Sequence, residues 1–515
     1  MKSIAEWVSY RETNSPADRF LRFGQETFTF SDLGHSVRQY MAGLKAVGVQ
    51  EGDRVGIMMP NHPEHIFVYL ALSSIGATII EFSVYFKRAG LELQLEDSEP
   101  DWFICQAGFG TVAREALARS PRLKRVIWSG GTLSGAEPLT LSELKRNGTE
   151  GFDAACTELD RLHAISFTSG TSGRPKGAML SDRYFQIGAK NAGLLADVEE
   201  GDVLFLWEPF YHVAGWMTVL MALQHGVPVA MVERFSGSRC WNQIREAGAT
   251  TLHYLGGVMN ILLKQPERAD DADNPVRIAW GAAAPLRSWR TFEKRFNVRV
   301  REGYGLSEAG NFTHLNLDGP IGSVGRPTDQ FDCWIADGEG HPVGPGTVGE
   351  IVMRPHDPRT VMHGYFRDAE RTAEVKRDGC VYSGDLGYVD GNGYYYFEGR
   401  KKDSLRRRGE NVSAWEVERV VNAHPAVEES AVIGVASEMG EQDIKVFVRT
   451  ANGHEVDPLD LIRWCEKDLA YYQIPRFVAF VDDFPRGPTH RIKKSELPAD
   501  LESWDLEESG YEVSQ

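Results

Sequence analysis

Hydrophobic positions in the segment 40–86 change spacing several times, and each change marks a new predicted element. Residues 41–47 and 64–75 have the spacing of helices, whereas residues 54–59 and 77–82 are short apolar runs typical of buried strands. Strands that alternate with helices favour a parallel sheet whose two faces are both covered. This part of the chain is therefore predicted to be an α/β domain.

The same alternation returns further along the chain. Residues 203–206 and 228–232 are predicted strands, and residues 217–224 and 241–247 are predicted helices. Near Gly319 glycine and proline become frequent and short alternating runs predict a small β unit. We expect a large N-terminal domain of layered mixed and parallel sheets with helices, to which this β unit belongs.

A compact alternation after Arg400 predicts a small mobile α+β domain. Its predicted helices are residues 415–422 and 458–469, and its predicted strands are residues 427–435, 444–449 and 477–481. The expected parts of the chain are the large domain at 1–399, a hinge at 400–403, the small domain at 404–500 and an acidic tail at 501–515. The tail has few apolar side chains to pack, so we expect it to be mobile.

The composition restricts the classes of partner. Of the 515 residues, 42% are hydrophobic and 25% are charged, as in soluble globular proteins, and the net charge is −17. A negative protein repels a phosphodiester backbone, so we expect no nucleic-acid partner and a local basic site for any polyanionic ligand. The apolar segment 66–86 contains Gly76 and Glu81 and is predicted as a helix and a strand, not as a transmembrane segment.

The cysteines and the first residues indicate a reducing compartment. The six cysteines lie far apart and have no metal-ligand spacing, so free thiols are expected. Residues 1–19 lack the continuous hydrophobic stretch of a signal peptide. We expect a cytoplasmic protein, and a homodimer is compatible with the sequence, which does not specify the oligomeric state.

Hydroxyls, glycines and one cation are concentrated in the run 167–177, which follows a predicted strand at 162–167. Glycine permits close backbone approach, and curled amides beside hydroxyl groups form an anion-binding nest. A Walker-type loop is excluded because Arg174 and Pro175 follow Gly173. The predicted phosphate-binding residues are Thr168, Ser169, Gly170, Thr171, Ser172, Gly173 and Lys176.

The order of residues in this loop resembles the signature of the adenylate-forming superfamily, which includes acyl-CoA synthetases, luciferase-like enzymes and the adenylation domains of peptide synthetases. Three further segments are similar to other signatures of that superfamily: Gly281-Ala282-Ala283-Ala284-Pro285, Tyr304-Gly305-Leu306-Ser307-Glu308 and Tyr382-Ser383-Gly384-Asp385-Leu386-Gly387. The resemblance extends over nearly the whole chain, from Phe28 to Leu497.

The resemblance implies a nucleotide site. Tyr304 would stack on adenine, Asp385 would accept hydrogen bonds from both ribose hydroxyls, and Arg400 would contact the ribose. The implied ATP or AMP contacts outside the phosphate loop are Gly281, Ala282, Ala283, Gly303, Tyr304, Gly305, Ser307, Asp385 and Arg400.

The implied reaction has two steps. A carboxylate attacks the α-phosphate of ATP to give an acyl-adenylate and pyrophosphate, and the acyl group then passes to an acceptor. Positioning and charge neutralisation do most of this work, and no covalent nucleophile is required. The implied catalytic residues are Lys176, His212, Glu308 and Arg491, and the implied Mg²⁺ ligands are Thr168 and Glu308.

Coenzyme A is the favoured acceptor, and a carrier protein or oxygen is the alternative. His212 lies where thioester-forming relatives place a gate beside the pantetheine tunnel, and no carrier domain is expected after Leu497. The resemblance also implies rotation of the small domain about Lys402 between the two steps. The residues implied on the coenzyme A side are Arg408, Gly409 and Glu410.

The chain departs from the family pattern at Arg491. The last signature has a Gly-Lys pair whose lysine bridges the carboxylate and the α-phosphate, and this chain has His490 and Arg491 there. Arginine carries its charge on a bulkier planar fork. Three outcomes follow: Arg491 replaces the lysine, Lys493 takes over, or adenylation is slow. The alternative from a different functional class is a homologue that binds a nucleotide or an acyl group but has weakened catalysis.

The identity of the carboxylic acid substrate is the property that the sequence specifies least. The resemblance implies an acyl pocket near His212, Tyr254, Gly256, Gly257, Trp280 and Asn311, a mixture that admits many acids. The run 408–413 is most similar to the carnitine and crotonobetaine branch. Residues 33–36 resemble a phosphopantetheine site, but they lead into a predicted helix near Tyr40 and are interpreted as structural.

Overall fold

A computed structural model describes residues 1–86, 88–131, 139–145, 156–168, 176–401, 404–407, 410–437, 442–451, 454–469, 471, 473–486, 492–511 and 513. Close Cα positions divide the chain into two compact units. Unit 1 comprises residues 1–170, 174–332 and 354–381, and unit 2 comprises residues 171–173, 333–353 and 382–515. The hinge at 400–403 stays a prediction, and Lys402 lies outside the described residues.

The helices are α1 Ile4–Asn14, α2 Phe30–Ala46, α3 Pro63–Ile75, α4 Arg88–Ser98, α5 Gly110–Leu117, α6 Leu141–Lys145, α7 Asp182–Ala196, α8 Val213–His225, α9 Cys240–Ala247, α10 Gly256–Leu263, α11 Leu286–Phe296, α12 Ala369–Val375, α13 Ala414–Val421 and α14 Pro458–Cys465. The strands are β1 Arg19–Phe23, β2 Glu26–Thr29, β3 Arg54–Met58, β4 Thr78–Glu81, β5 Trp102–Gln106, β6 Arg125–Ser129, β7 Leu139–Thr140, β8 Leu162–Thr168, β9 Lys176–Ser181, β10 Leu204–Leu206, β11 Val229–Met231, β12 Thr251–Leu255, β13 Ile278–Ala282, β14 Arg299–Tyr304, β15 His314–Asn316, β16 Arg326–Pro327, β17 Phe331–Ala336, β18 Gly349–Pro355, β19 Gly364–Tyr365, β20 Lys376–Arg377, β21 Cys380–Val389, β22 Tyr395–Arg400, β23 Ser404–Arg407, β24 Glu410–Ser413, β25 Val427–Ala436, β26 Gln442–Thr450, β27 Phe477–Phe480 and β28 Trp504–Asp505.

Most predicted elements are confirmed, and the differences have local causes. Helix α2 begins at Phe30 instead of near Met41, because Thr29 and Asp32 form a reciprocal capping box at its start. The phosphopantetheine-like residues 33–36 lie inside this helix, which confirms their structural interpretation. Helix α14 ends at Cys465, four residues before the predicted end at residue 469.

A sheet of nine strands forms one layer of unit 1 within the described residues, in the order β16-β15-β14-β13-β12-β10-β11-β1-β2. Strands β10 to β14 are mutually parallel, and helices α8 to α11 connect them in sequence. Large buried side chains, including Trp216 and Trp280, pack against this layer. The parallel α/β organisation predicted for this region is confirmed.

A second sheet of unit 1 has the order β19-β9-β8-β4-β3-β5-β6-β7 among the described residues. Its strands β8 and β9 are antiparallel, and Thr168 at the end of β8 is in register with Lys176 at the start of β9. The predicted phosphate loop therefore connects two paired strands. Its residues Ser169, Gly170, Thr171, Ser172 and Gly173 lie outside the described residues.

Unit 2 has its own sheets and core. Strand β22 pairs with β21, β23 pairs with β24, and β25 to β28 form a four-stranded sheet against which α13 and α14 pack. The expectation of a mobile tail at 501–515 was wrong for its described part. Strand β28 pairs with β27, the Arg476 guanidinium bonds the Asp505 carboxylate at 3.1 Å, and Leu506 is buried in the core of unit 2 with Trp504 packed against it, so both charge and apolar burial hold the tail.

Two further expectations concern the environment of the chain. All six cysteines are free thiols, as the sequence predicted. Among the described residues, no helix combines the length and the apolar composition that crossing a bilayer requires. The cytoplasmic location and the homodimer stay predictions.

Asp182 at the start of α7 gives the first testable prediction. Its carboxylate is buried and accepts hydrogen bonds from Ile4 N at 3.0 Å and Gln186 Nε2 at 2.9 Å. Burial raises the pKa of Asp182 from 3.8 to about 6, in opposition to these hydrogen bonds. The folded chain thus keeps a proton that the unfolded chain releases, so the stability from this group is complete below pH 3.8 and is lost by pH 6.

We expect Asp182→Asn, which cannot ionise, to gain stability relative to the wild type as the pH rises from 4 to 7. The gain in the free energy of unfolding is at most about 3 kcal/mol, from the size of the pKa change. Denaturant unfolding of both proteins at the two pH values measures it. A difference between them that does not change with pH would contradict the prediction.

Candidate active site

Three predicted site segments follow neighbouring parallel strands at one edge of the nine-stranded sheet. Tyr254 on β12 is in register with Gly281 on β13, and Gly281 is in register with Glu302 on β14. Parallel strands that are in register end together, and ligands bind at the carboxyl ends of such strands. The sheet therefore brings the segments after β12, β13 and β14 to one place.

The segment 281–285 is held by a buried carboxylate that the sequence did not point to. Glu302 Oε1 accepts a hydrogen bond from Ala283 N at 2.6 Å, and Oε2 accepts from Ala284 N at 3.1 Å and from the Tyr254 hydroxyl at 2.5 Å. Burial raises the pKa of Glu302 to about 7, against the lowering effect of these three donors. The carboxylate thus fixes the path of the backbone at the predicted purine-binding residues.

Two close backbone approaches in this region require glycine. A Cβ on Gly281 would lie 1.8 Å from the Tyr254 carbonyl oxygen, and a Cβ on Gly305 would lie 1.2 Å from the Asn311 carbonyl oxygen. The second approach closes the loop 304–313, which Thr313 N secures by donating to Tyr304 O at 2.8 Å. Tyr304, Ser307 and Glu308 are therefore presented by a loop that is tied at its base.

Lys176, Tyr365 and Glu308 come together in unit 1. The Tyr365 hydroxyl donates to Glu308 Oε1 at 2.5 Å, and Lys176 Nζ lies 5.0 Å from the centre of the Tyr365 ring. Burial and the adjacent carboxylate raise the pKa of Tyr365, so its hydroxyl remains a donor. Tyr365 lies far from both partners in sequence and follows no motif that was recognised, so the sequence did not identify it.

This cluster borders an open cavity of about 450 Å³. The cavity is lined by residues of both charges: Glu96, Asp97, Glu99, Lys176, Arg367, Asp368 and Arg371. Lys176 is the lining residue that the sequence predicted for phosphate binding.

Glu308 fits a magnesium site. Mg²⁺ takes hard oxygen ligands and is usually held by one or two carboxylates together with substrate phosphates. Glu308 is half-buried, and Tyr365 bonds one of its oxygens and orients the other. Of the implied second ligand Thr168, the structure describes the backbone, which lies opposite Lys176.

Unit 2 carries the residues implied for the ribose. Asp385 on β21 and Arg400 on β22 are cross-strand partners, and Arg400 Nε lies 3.4 Å from Asp385 Oδ1. Glu350 supports both strands, because Oε1 accepts from Gly384 N and Oε2 from Lys401 Nζ, each at 3.0 Å. The structure thus brings Asp385 and Arg400 together, and Glu350 is a support that the sequence did not reveal.

Several predicted residues cannot be compared with the structure. Arg408, Gly409 and Arg491 lie outside the described residues, and Glu410 is described only as part of β24. Lys493, the alternative to Arg491, bonds Glu496 Oε1 at 2.7 Å, a pair formed within one turn of chain.

The residues predicted for the acyl pocket do not all share one face of the sheet. Trp280 belongs to the core cluster that contains α8 and Phe312, with its ring 6.2 Å from that of Phe312, whereas Tyr254 packs in a different cluster and bonds Glu302. His212 lies at the N-terminal cap of α8. Gly256 and Gly257 begin α10, and Asn311 takes a left-handed conformation with φ +78°. Trp280 and Phe312 therefore belong to one cluster, and Tyr254 belongs to another.

A buried carboxylate–histidine pair adjoins Trp280. Glu208 Oε1 bonds His253 Nδ1, and both side chains are at most 3% exposed. The His253 ring lies 4.4 Å from the Trp280 ring. Among the described residues, Glu208 Oε2 and Trp280 Nε1 are buried without a hydrogen-bond partner. Buried polar atoms of this kind are costly unless a ligand or water satisfies them.

The chain is similar to known proteins over almost its full length. The family model for the AMP-binding enzyme matches residues 8–366, and the model for the AMP-binding enzyme C-terminal domain matches residues 416–491. The crotonobetaine/carnitine–CoA ligases of Salmonella paratyphi B and Salmonella typhimurium are each 26% identical over 487 residues, which cover 91% of this chain and 93% of theirs.

Solved structures resemble the fold closely. ATP-bound MatB from Rhodopseudomonas palustris has a TM-score of 0.87 at 26% identity and covers 96% of this chain and 98% of its own. The fatty acyl CoA synthetase of Mycobacterium tuberculosis has a TM-score of 0.75 at 26% identity, with coverage of 96% and 97%. These matches confirm the predicted fold, a large α/β domain followed by a small C-terminal domain.

The hydroxyl of Tyr365 gives a second prediction. We expect Tyr365→Phe, which keeps the ring near Lys176 but removes the donor to Glu308, to require more Mg²⁺ for half-maximal ATP-dependent activity. Loss of a partner that orients a metal ligand typically costs about tenfold or more in metal affinity. A titration of activity against Mg²⁺ measures the change.

Tyr395→Phe is the matched control, because Tyr395 is a buried tyrosine like Tyr365. Its hydroxyl donates to the backbone carbonyl of Cys333 in unit 2 and not to a predicted metal ligand. It is expected to leave the Mg²⁺ requirement unchanged. Equal requirements in Tyr365→Phe and the wild type would show that Tyr365 does not orient Glu308.

Proposed function

Because the chain belongs to the AMP-binding enzyme family, we propose that it is an AMP-forming acyl-CoA synthetase, an acid–thiol ligase. It activates a carboxylic acid with ATP as an acyl-adenylate, releases pyrophosphate, and transfers the acyl group to coenzyme A. The Salmonella relatives named as CoA ligases, matched over 93% of their length, support this assignment.

The observation that carries the proposal is the meeting of Lys176, Tyr365 and Glu308 in unit 1. The three residues belong to separate elements and provide a cation, a hydroxyl donor and a carboxylate within one cluster. Attack on the α-phosphate places negative charge on the leaving pyrophosphate, and fixed charges nearby stabilise it. Lys176 would neutralise phosphate oxygens directly, and Glu308 would hold the Mg²⁺ ion.

Each part of ATP is assigned to its own group of residues. The purine lies against 281–283 and the Tyr304 ring, and the ribose hydroxyls bond Asp385, which Arg400 orients from the neighbouring strand. Mg²⁺ supplies charge neutralisation at the phosphate oxygens. Arg491 provides the cation that bridges the acid and the α-phosphate.

Coenzyme A is the proposed acceptor. His212, at the start of α8, gates the passage between the acyl pocket and the thiol, and the segment 408–410 contacts coenzyme A after rotation about Lys402. The names of the relatives as CoA ligases favour this acceptor over a carrier protein or oxygen.

The third prediction tests the proposed function. We expect the purified protein to release AMP and pyrophosphate when it is given ATP, Mg²⁺ and a suitable acid, and to form an acyl-CoA only when coenzyme A is also present. Chromatography of nucleotides and thioesters measures both products over short, medium, aromatic and cationic acids.

The same assay separates the alternatives. Formation of AMP that coenzyme A neither accelerates nor converts to a thioester would favour another acceptor. Tight binding of ATP without AMP release from any acid would favour a binding homologue with weakened catalysis.

Glu208 narrows the proposed substrate to acids with a cationic distal group. One Glu208 oxygen has no hydrogen-bond partner, the other bonds His253, whose ring lies beside Trp280, and no lysine or arginine pairs with Glu208 among the described residues. A cation is stabilised both by a buried carboxylate and by aromatic faces. The relatives named for carnitine, an acid with a trimethylammonium group, agree with this class.

A fourth prediction compares two acids of equal shape. We expect 4-(trimethylammonio)butanoate to have a kcat/KM at least about tenfold above that of 5,5-dimethylhexanoate, its neutral carbon isostere. Glu208→Gln removes the charge but keeps the volume, so it should reduce this ratio toward one. Thioester formation under limiting acid gives kcat/KM for each pair.

Glu81→Gln is the control, because Glu81 forms a second carboxylate–histidine pair, with His65 Nε2 at 3.0 Å. It should preserve the preference for the cation. If the wild type uses the neutral isostere as well as the cationic acid, the assignment of Glu208 fails while the synthetase activity stands.

A further inference from the structure

Glu302 is a buried acid, and its hydrogen-bond donors are two backbone amides and one hydroxyl. Its carboxylate is 5% exposed and accepts from Ala283 N, Ala284 N and the Tyr254 hydroxyl. Within the described residues it has no ion pair, and the Arg301 side chain beside it in sequence bonds Asp197 instead. The negative charge of Glu302 is therefore stabilised by the three donors of one loop and one neighbouring strand.

The loop that Glu302 holds is strained at Ala283. This residue has φ +62°, a left-handed conformation that is unfavourable for alanine because its Cβ crowds the following carbonyl oxygen. Two adjacent amides that point at one carboxylate compensate for that cost, because a carboxylate accepts several hydrogen bonds and charge-assisted bonds are the stronger ones. Without the carboxylate both amides would lose the acceptor that fixes their direction, and the segment would be free to change its path.

The Tyr254 hydroxyl connects this loop to strand β12. It donates to Glu302 Oε2 at 2.5 Å, and its oxygen also lies 3.1 Å from Arg301 O. The carbonyl of Tyr254 packs against Gly281 so closely that a Cβ there would lie 1.8 Å away. Tyr254 thus belongs to the support of the segment 281–285, and its hydroxyl does not face the cluster that contains Trp280.

We propose that Glu302 is a positioning residue for the nucleotide: it holds 281–285 in the conformation that receives the purine, without touching ATP itself. Tyr254 acts through the same carboxylate. The inference rests on the proposed function, because it takes 281–283 as the purine contact. It predicts that changes at Glu302 weaken ATP binding selectively and leave the acid and coenzyme A sites intact.

The fifth prediction compares two replacements of this residue. Glu302→Leu keeps the volume but removes every acceptor, and we expect it to raise the KM and the Kd for ATP at least about tenfold. The KM values for the acid and for coenzyme A should change less than threefold. Glu302→Gln retains one acceptor oxygen and should recover most of the affinity, and Tyr254→Phe should raise the KM for ATP about twofold to threefold. Calorimetric titration with ATP and Mg²⁺ in the absence of acid gives the Kd.

Asp182→Asn is the matched control, since Asp182 is another buried acid of unit 1 that holds a backbone amide, Ile4 N, on a different element. It should alter stability without moving the KM for ATP. A purely structural role for Glu302 would give the kinetic pattern of Asp182→Asn and would overturn the proposal. So would folded Glu302→Leu with wild-type affinity for ATP.

The remaining outcomes are also decisive. If Glu302→Leu does not fold, Glu302→Gln and Tyr254→Phe take its place, and an unchanged ratio of the KM for ATP to the KM for the acid in both would refute the inference. A wild-type protein that neither binds ATP nor releases AMP would refute the proposed function. If the wild type does both and the Glu302 variants bind ATP with unchanged affinity, only the role of Glu302 is refuted.

Discussion

The parallel register of β12, β13 and β14 is the constraint on which the candidate site depends. Leu255 pairs with Ala282, and Gly281 pairs with Glu302, so these strands end within a residue or two of each other. Their hydrogen bonds bring together segments that are separated by tens of residues in sequence. A shift of one residue would turn each side chain to the opposite face of the sheet. The carboxylate of Glu302 would then no longer point at Ala283 and Ala284.

Close packing and buried charge at this edge depend on each other. Gly281 and Gly305 allow backbone segments to approach more closely than any side chain would permit, and the amides of Ala283 and Ala284 beside Gly281 find their acceptor in Glu302. Hydrogen bonds from several amides then offset the desolvation cost of a buried carboxylate. The same reasoning distinguishes Glu302, whose acceptors are occupied, from Glu208, which keeps one oxygen without a partner among the described residues.

Sequence alone predicted the elements and the motif residues well, because both are local properties. The helices and strands of the parallel sheet follow from the spacing of apolar residues, and Asp385 and Arg400 were expected in one site from their motifs. The resemblance implied Tyr254 in the acyl pocket, but neighbouring strand residues face opposite sides of a sheet, and the Tyr254 hydroxyl bonds Glu302. Tyr365, Glu350 and the contact of Arg476 with Asp505 depend on distant pairings that no local pattern contains.

A chain with a net charge of −17 can bind a polyphosphate only if its site is not itself strongly negative. Three carboxylates predicted for the nucleotide have partners within their own units: in unit 1 Glu308 accepts from Tyr365 and Glu302 from two amides and a hydroxyl, and in unit 2 Asp385 lies beside Arg400. Each partner reduces the local negative potential while it fixes the geometry of the acid. Under the proposed function, Lys176 would meet the phosphates beside Glu308, an acid whose hydrogen bond from Tyr365 already offsets part of its charge.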